Sequence, residues 1–481
     1  MAFQFYNTYH RRLEEFQPVE AGKVKIYSCG PTVYDYAHIG NFRSYVFSDI
    51  LRRSLKLGGY QVTHAMNITD VDDKTIKRTL EKKPDPDISD LKQYTDIFTA
   101  AFFEDIKKIG IDSFDHYPYA TNYMGKMISL VQTLEEKGFA YRLDGSVYFS
   151  IAKYSDYGRL SGVDLSSIKT GTRYNTDEYT KEDVRDFVLW KSEKSGEKIA
   201  WDSPFGRGRP GWHLECSAMI ESLFNGAIDI HTGGVDLMFP HHENEIAQSV
   251  NAYGHEFVRY WIHCEHLLVD GKKMSKSEGN FFTLRDLMKQ GYHAKAVRYF
   301  LLSSHYRAKI NFTKDALDQI AQNLRRINNF YQRLESAKII NGQENSFGEK
   351  LSQQIKLWKT DFLSHLEDDL NTARALAVFH NAIKTVNGYL DENSDSLSSG
   401  LLEGLKKLFG DFESVLNLDA PELADQNINE APEAVSDLLK KRNEARAQKN
   451  YALSDKLRDQ IHESGFVIVD TPEGSRLQKK S

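Results

Sequence analysis

The sequence predicts an α/β fold, in which a parallel sheet covered by helices is interrupted by an insertion and followed by a helical region and a small mixed α/β region. Three observations predict it. First, Lys23-Val-Lys-Ile-Tyr27 and Tyr60-Gln-Val-Thr-His-Ala-Met66 read as strands, and an amphipathic stretch from near His38 to Leu57 lies between them. Strand, crossover helix and strand in that order form a βαβ unit, whose strands run parallel. Second, strand-like text returns at 227–232 and 260–269. Third, the period changes after Thr313: Ala316, Ile320, Leu324, Ile327 and Tyr331 recur at three- and four-residue spacing, the mark of a helix with one apolar face.

Each element follows from local text. Ser28-Cys-Gly-Pro31 is a turn after the first strand, and Gly58-Gly59 stops the first helix. Gly- and Asp-rich runs (Leu143-Asp-Gly-Ser, Leu160-Ser-Gly-Val-Asp) break the βα rhythm, so 113–201 is expected to be an inserted domain within a sheet domain of 1–112 plus 202–312. Helices are expected near 351–366 and 372–390 in a helical domain of 313–418, with the polar run Asp391-Glu-Asn-Ser-Asp-Ser396 joining elements. The stretch 419–432 reads as a linker. Beyond it, Val435, Leu438, Leu439, Leu453, Leu457 and Ile461 mark one last long helix. Phe466-Val-Ile-Val469, Pro472-Glu-Gly474 and Ser475-Arg-Leu477 form a hairpin that completes a domain of 433–481.

At 481 residues the chain is too long for one domain and suits about three. Acidic residues outnumber basic ones, 68 to 62, for a formal charge of −6, which argues against a generally basic nucleic-acid binder. A local basic face is still compatible with that balance, because the field depends on where charges sit. Three cysteines, Cys29, Cys216 and Cys264, are too few for a disulfide framework and suit a reducing compartment. The N-terminus has no basic segment followed by an apolar run, and no apolar stretch approaches the ~20 residues that span a bilayer. A cytoplasmic protein without a membrane partner is expected.

Two short motifs suit phosphate. His38-Ile39-Gly40-Asn41 opens the helix after the first strand, where free N–H groups and the helix dipole favour an anion. Gly40 lets a nucleotide approach the backbone, and His38 can donate to a phosphate oxygen; a merely capping or packed His is the plainer reading. Lys273-Met274-Ser275-Lys276-Ser277, between Gly271 and Gly279, puts two lysines on a loop that can swing onto a triphosphate. Its plainer reading is a solvated turn.

A third constellation suits a metal. Cys29 lies in the turn before the first motif, Cys216 ends Gly211-Trp-His-Leu-Glu-Cys216, and His241 and Glu245 fall one helical turn apart after Pro240. Two thiolates, an imidazole and a carboxylate make a zinc set. Spacing alone does not assemble it: buried core cysteines and a capping His-His pair fit the same text, and His242 can pair with Glu245 as well as His241 can.

Together the two phosphate motifs resemble the HIGH and KMSKS signatures of the class I aminoacyl-tRNA synthetases. The second matches in full; the first has Asn41 where the family usually has His, and an Asn can still donate to phosphate. Over nearly the whole chain the text is similar to the cysteinyl-tRNA synthetase family. The similar segments are Cys29-Gly30, Asn67-Ile-Thr-Asp70, Phe187-Val-Leu-Trp190, 211–216, 239–248, 273–280 and Ala296-Val-Arg-Tyr-Phe300.

The resemblance implies a Rossmann-like catalytic domain with a connective insertion, a helical tRNA-contacting domain and an anticodon-binding domain. It implies one zinc per chain on Cys29, Cys216, His241 and Glu245, and Mg²⁺ entering with ATP. ATP is expected on His38, Gly40, Asn41, Lys273, Ser275 and Lys276, with His38, Lys273 and Lys276 catalytic. L-cysteine is expected on Gly30, Thr69, Trp212, His231 and Asp236, with Thr69 near its carboxylate and Asp236 receiving its ammonium. Thr232 stands where the family more often has a third glycine. His263-Cys264-Glu265-His266 is read as a decoy, since neighbours on a strand point to opposite faces.

The function implied is activation of L-cysteine to cysteinyl-adenylate and transfer to tRNA(Cys), by a monomer. A cysteine ligase acting on an amino sugar (the mycothiol pathway type) and a non-catalytic tRNA-binding paralogue are the alternatives. Lys440, Lys441, Arg442, Arg446, Lys449, Lys456 and Arg458 near the C-terminus favour tRNA, with Arg442, Arg446 and Lys449 expected to touch it. Glu444, Asp455 and Asp459 keep open the reading of a merely solvated face.

Overall fold

A computed structural model of the chain describes residues 2–112, 114–163, 186–275, 279–340, 346–424, 433–448, 450–471 and 474–479. They fall into two compact units: Met1–Ala321 with Lys338–Leu418, and Gln322–Ala337 with Asp419–Ser481.

The first unit opens with a hairpin, β1 (Gln4–Asn7) and β2 (Arg12–Glu15), followed by β3 (Lys23–Ser28), α1 (Ile39–Leu57) and β4 (Gln61–Met66). α1 is buried along most of its length, and Gly59 beyond its end takes φ +92, in the left-handed region that suits glycine. After α2 (Asp73–Lys82), α3 (Ile88–Lys108) and α4 (Met124–Glu136) come β5 (Ala140–Leu143), β6 (Ser146–Phe149), β7 (Phe187–Ser192) and β8 (Gly208–Pro210), an antiparallel sheet in that order. α5 (Leu214–Phe224), β9 (Ile228–Gly234), α6 (Glu243–Tyr253) and β10 (Val258–Cys264) return the chain to the main sheet. That sheet is parallel throughout, in the order β10-β9-β3-β4, with Tyr27 opposite His231 and Ile26 opposite both His64 and Ile230. One apolar core joins the main sheet to the insertion, with Tyr27, Leu130, Phe149, Trp190, Leu214 and Trp261 in it.

The expected strand over 260–269 is two strands in different sheets. β10 stops at Cys264, and β11 (Leu267–Val269) pairs with β12 (Lys272–Lys273) and β13 (Ile310–Phe312). The break falls where the N–H of Glu265 leaves the sheet to bond the carbonyl of Tyr306. Between β12 and β13 lie α7 (Leu284–Lys289) and α8 (Ala294–Leu302).

Next come α9 (Lys314–Glu335), which belongs to the second unit from Gln322 on, then β14 (Lys338–Ile340), α10 (Ser346–Glu367), α11 (Thr372–Glu392), β15 (Ser396–Ser398) and α12 (Ser399–Leu416). The sequence reading has no counterpart for α12, whose Leu401, Leu405, Leu408, Phe409 and Phe412 are buried.

In the second unit the single long helix expected after Val435 is two. α13 (Glu433–Ala447) and α14 (Tyr451–Glu463) are separated at Asn450, whose side chain accepts from the N–H of Leu453 and caps α14. The hairpin is present as β16 (Phe466–Thr471) and β17 (Gly474–Lys479). Val435, Ile461 and Leu477 form a small core of their own.

Candidate metal and nucleotide site

Parallel sheets offer ligands the loops at the carboxyl ends of their strands, and the expected site residues collect there. Cys29 and Gly30 follow β3, Thr69 follows β4, and Gly233, Gly234 and Asp236 lie at the end of β9 and just beyond it. Gly30 is required by packing: a Cβ there would come 1.9 Å from the carbonyl oxygen of Asn67.

α5 supplies Cys216, and the turn entering α6 supplies His241, with Glu245 one turn on. One ligand atom from each of Cys29, Cys216, His241 and Glu245 lies within 4.8 Å of the other three. His241 Nε2 is 3.7 Å from Cys216 Sγ and 3.0 Å from Glu245 Oε1. Donors about 2.0–2.3 Å from a tetrahedral zinc sit roughly 3.3–3.8 Å apart; the 3.7 Å pair lies in that range and the 3.0 Å pair just below it, so a small side-chain shift brings the set onto the ion. Cys29, His231, His242 and Glu245 satisfy the same distance test. Two thiolates rather than one make the first set the softer and the better match to zinc.

Burial and the contacts inside the cluster set its electrostatics. Burial pushes the Cys29 thiol up, and Cys216 is raised further by its hydrogen bond to Cys29 and by burial. Both shifts favour the neutral thiols. Burial opposes charge on Glu245 as well, but His231 and His241 bring its carboxyl down to about 2. Against the same burial, Glu245 and Cys216 raise His241 to about 10.

Residues beyond the expected set complete the site. His213 Nδ1 lies 3.0 Å from His241 Nδ1, so a hydrogen bond on the far ring nitrogen turns Nε2 toward the cluster. His242 Nε2 meets Cys29 Sγ at 3.3 Å, and His242 Nδ1 meets His263 Nε2 at 2.8 Å. His231 Nε2 meets Glu245 Oε2 at 3.0 Å. Trp212 stacks on His241 with ring centres 4.2 Å apart. The His-His pair was the visible signal for His242; His213 had none beyond its place between Trp212 and Cys216. Cys264 points away from its neighbour His263, with its sulfur at the Arg43 carbonyl, 4.0 Å away.

Two threonines near the expected amino-acid pocket have partners of their own. The Thr69 hydroxyl donates to the buried carboxyl of Glu215 at 2.7 Å and accepts from Asn67 Nδ2 at 3.0 Å. Thr232 turns its hydroxyl to Ser28 and Ser48, at 2.6 and 3.0 Å, on the α1 side of the sheet. Asp236 is exposed.

The two phosphate motifs meet. The N–H of Ile39 bonds the carbonyl of Phe282, and the His38 ring packs edge-on against Phe281. A Cβ on Gly40 would come 3.7 Å from the Met274 methyl. Asn280 holds the lysine loop from behind, accepting the N–H of Ser275 at 2.8 Å and donating to the carbonyl of Lys273 at 3.1 Å. Lys273 is exposed; Lys276 lies outside the described residues.

The tRNA-facing expectations divide. Arg446 is exposed, and Lys449 lies outside the described residues. Arg442 is 5% exposed, and its guanidinium donates to Ser475 Oγ at 2.7 Å. It braces β17 against α13, which corrects its assignment to an open basic face.

Three family models match the chain: tRNA synthetases class I (C) catalytic domain over 15–322, DALR domain over 361–419, and Cysteinyl-tRNA ligase anticodon binding domain over 429–476. A Cysteine--tRNA ligase of Leptospira interrogans (serovar Lai, strain 56601) is 48% identical over 480 residues, covering 99% of each chain. One from Brachyspira hyodysenteriae is 44% identical over 481 residues, also covering 99% of each. Among solved structures, Mycobacterium tuberculosis methionyl-tRNA synthetase with methionyl-adenylate aligns at TM-score 0.57 and 14% identity, over 82% of this chain and 88% of that one. A LeuRS–tRNA–LeuAMS complex from Agrobacterium radiobacter K84 aligns at TM-score 0.61 and 13% identity, over 85% of each. These two likenesses concern the fold.

Proposed function

Because the chain belongs to the cysteine–tRNA ligase family of class I tRNA synthetases, we propose how its residues divide that reaction between them. It is an enzyme that joins cysteine to tRNA with ATP. Cys29, Cys216, His241 and Glu245 hold one zinc ion, a reading carried by four donor atoms within 4.8 Å on the ligand-binding edge of the sheet. When bound there, zinc would supply a Lewis acid with a preference for thiolate sulfur, for which the hydroxyl of serine is a poor substitute.

Around that point Trp212 walls the amino-acid pocket, Gly30, Thr69 and His231 line it, and Asp236 receives the ammonium. His38, Gly40, Asn41, Ser275, Lys273 and Lys276 take ATP, with Mg²⁺ entering beside it. The cysteine carboxylate attacks the α-phosphate, and pyrophosphate leaves while His38, Lys273 and Lys276 stabilise the charge. The domains assigned are 1–112 plus 202–312 for catalysis, 113–201 as the connective insertion, 313–418 toward the tRNA and 433–481 at the anticodon. A monomer in the cytoplasm suits this reading; among the described residues no helix is long and apolar enough to cross a membrane.

The match to an anticodon-binding model at 429–476 speaks against an amino-sugar acceptor. The test is ATP–pyrophosphate exchange with cysteine, serine and methionine in parallel. Exchange with cysteine alone is expected; equal exchange with serine would remove the thiolate argument.

A further inference from the structure

A helix leaves its last four carbonyls without partners inside it. In α12 all four are met. Asn417, in the left-handed region at φ 51, returns its N–H to the carbonyl of Glu413. Arg53 Nη1 donates to the carbonyl of Ser414 at 2.9 Å. Arg298 donates through Nη2 to Val415 at 3.3 Å and through Nε to Leu416 at 2.7 Å. Both guanidinium groups also reach the carbonyl of Gly110, at 3.2 and 3.1 Å, and both bond Asp49 Oδ2, at 2.8 and 2.7 Å. The Asn417 side chain closes the ring, donating to Gly110 at 2.7 Å and accepting from Lys295 at 3.1 Å.

Both cations converge on Asp49, Arg53 also pairing with the exposed Asp112 at 2.7 Å, and the side chains of Arg298 and Asp49 are fully buried. Removing charges from water is costly, and apolar packing would hold the helices at least as firmly. What the planar forks add is orientation, because their donors accept one arrangement of the carbonyls. The elements joined are telling. α1 carries Asp49 and Arg53 and begins at the His38 motif. α8 carries Arg298 and follows the Lys273 loop by way of α7. α12 ends where the chain passes at Asp419 into the second unit, whose 429–476 matches the anticodon-binding model.

We propose that Arg298, with Arg53 and Asn417, is a positioning clamp: it fixes the end of α12 against α1, which opens at the His38 motif, and α8, which follows the lysine loop through α7, so that tRNA held by the following segment is registered to the nucleotide site. This rests on the proposed function. The clamp touches no substrate and serves the transfer to tRNA rather than the formation of adenylate.

Arg298→Lys keeps the charge and removes the fork. Cysteine-dependent pyrophosphate exchange should then stay within about twofold of wild type, while charging at limiting tRNA falls on the order of tenfold or more, since a small misplacement of reacting groups is costly. Asn417→Gly keeps the left-handed backbone and loses only the side-chain bonds; it should shift the same ratio by less, and it decides alone if Arg298→Lys does not fold. A loss shared equally by both assays, or charging at the wild-type level, would overturn the clamp. Wild-type protein lacking cysteine-dependent exchange would instead count against the functional reading itself.

Discussion

Asn41 and His38 cap each other: Asn41 Oδ1 accepts the backbone N–H of His38 at 3.1 Å, and His38 Nδ1 accepts the backbone N–H of Asn41 at 3.1 Å. An accepting Nδ1 leaves the ring proton on Nε2, the tautomer a phosphate donor needs. The departure from the usual motif is therefore a reciprocal cap, in which the Asn41 side chain is the acceptor through Oδ1. Asn41→Ala should cost about 1 kcal/mol of stability through the lost cap. Exchange should fall further, by about tenfold, because His38 loses its orientation. Melting curves and exchange rates on the same preparation check both; unchanged exchange would show that the cap does not serve the nucleotide.

Metal content separates the cysteines. Cys216→Ser should lose both zinc and cysteine activation, whereas Cys264→Ser, whose sulfur faces the Arg43 carbonyl, should keep both. Metal analysis of the purified proteins decides, and loss of zinc from the Cys264 variant would overturn the ligand assignment.

Lys276 should act on the transition state. Lys276→Ala should lower the exchange rate about 10²–10³-fold with little change in the apparent affinity for cysteine. A raised KM at unchanged kcat would mean that the loop only holds substrate.

Burial pushes the Cys264 thiol up to about 11, although Arg43 pulls it back. An unfolded thiol ionises near pH 8.5. The folded value is the higher one, so this contribution is intact below about pH 8.5 and is lost as pH rises toward 11, by roughly 3 kcal/mol. Cys264→Ala should therefore lose less stability than wild type between about pH 8 and pH 11 in paired urea melts. Parallel declines in the two proteins would refute the shift.

Removing 433–481 takes away a core of its own, with Val435, Ile461 and Leu477 in it. Cysteinyl-adenylate formation should remain nearly intact and tRNA charging should drop severely, with the intact protein's tRNA affinity falling as salt rises. Equal charging by truncated and full-length protein at physiological salt would show that this region does not read the anticodon.

The βαβ opening was legible because Lys23–Ser28 and Gln61–Met66 carry strand text on either side of a helix with a clear glycine stop. α12 was hidden by Gly400, Gly404 and Gly410, which dilute a helical pattern that burial of its leucines and phenylalanines then overrides. Arg442 read as surface because arginine usually is; its burial is decided by Ser475, a partner 33 positions away. The ligand types at Cys29, Cys216, His241 and Glu245 were readable one by one. Their meeting depends on the sheet, where Tyr27 pairs with His231, and no local spacing encodes that.

The four proposed zinc ligands are strung along the chain from Cys29 to Glu245 and meet only at the edge of the sheet. A ribosome makes them in that order, so a nascent chain carries the first thiol long before the carboxylate exists. The set can close only after α6 has emerged from the exit tunnel and β9 has paired with β3. The proposed cage is thus completed only once about half of the 481 residues have been made, and a chain that stalls before Glu245 presents cysteines with no complete cage to protect them.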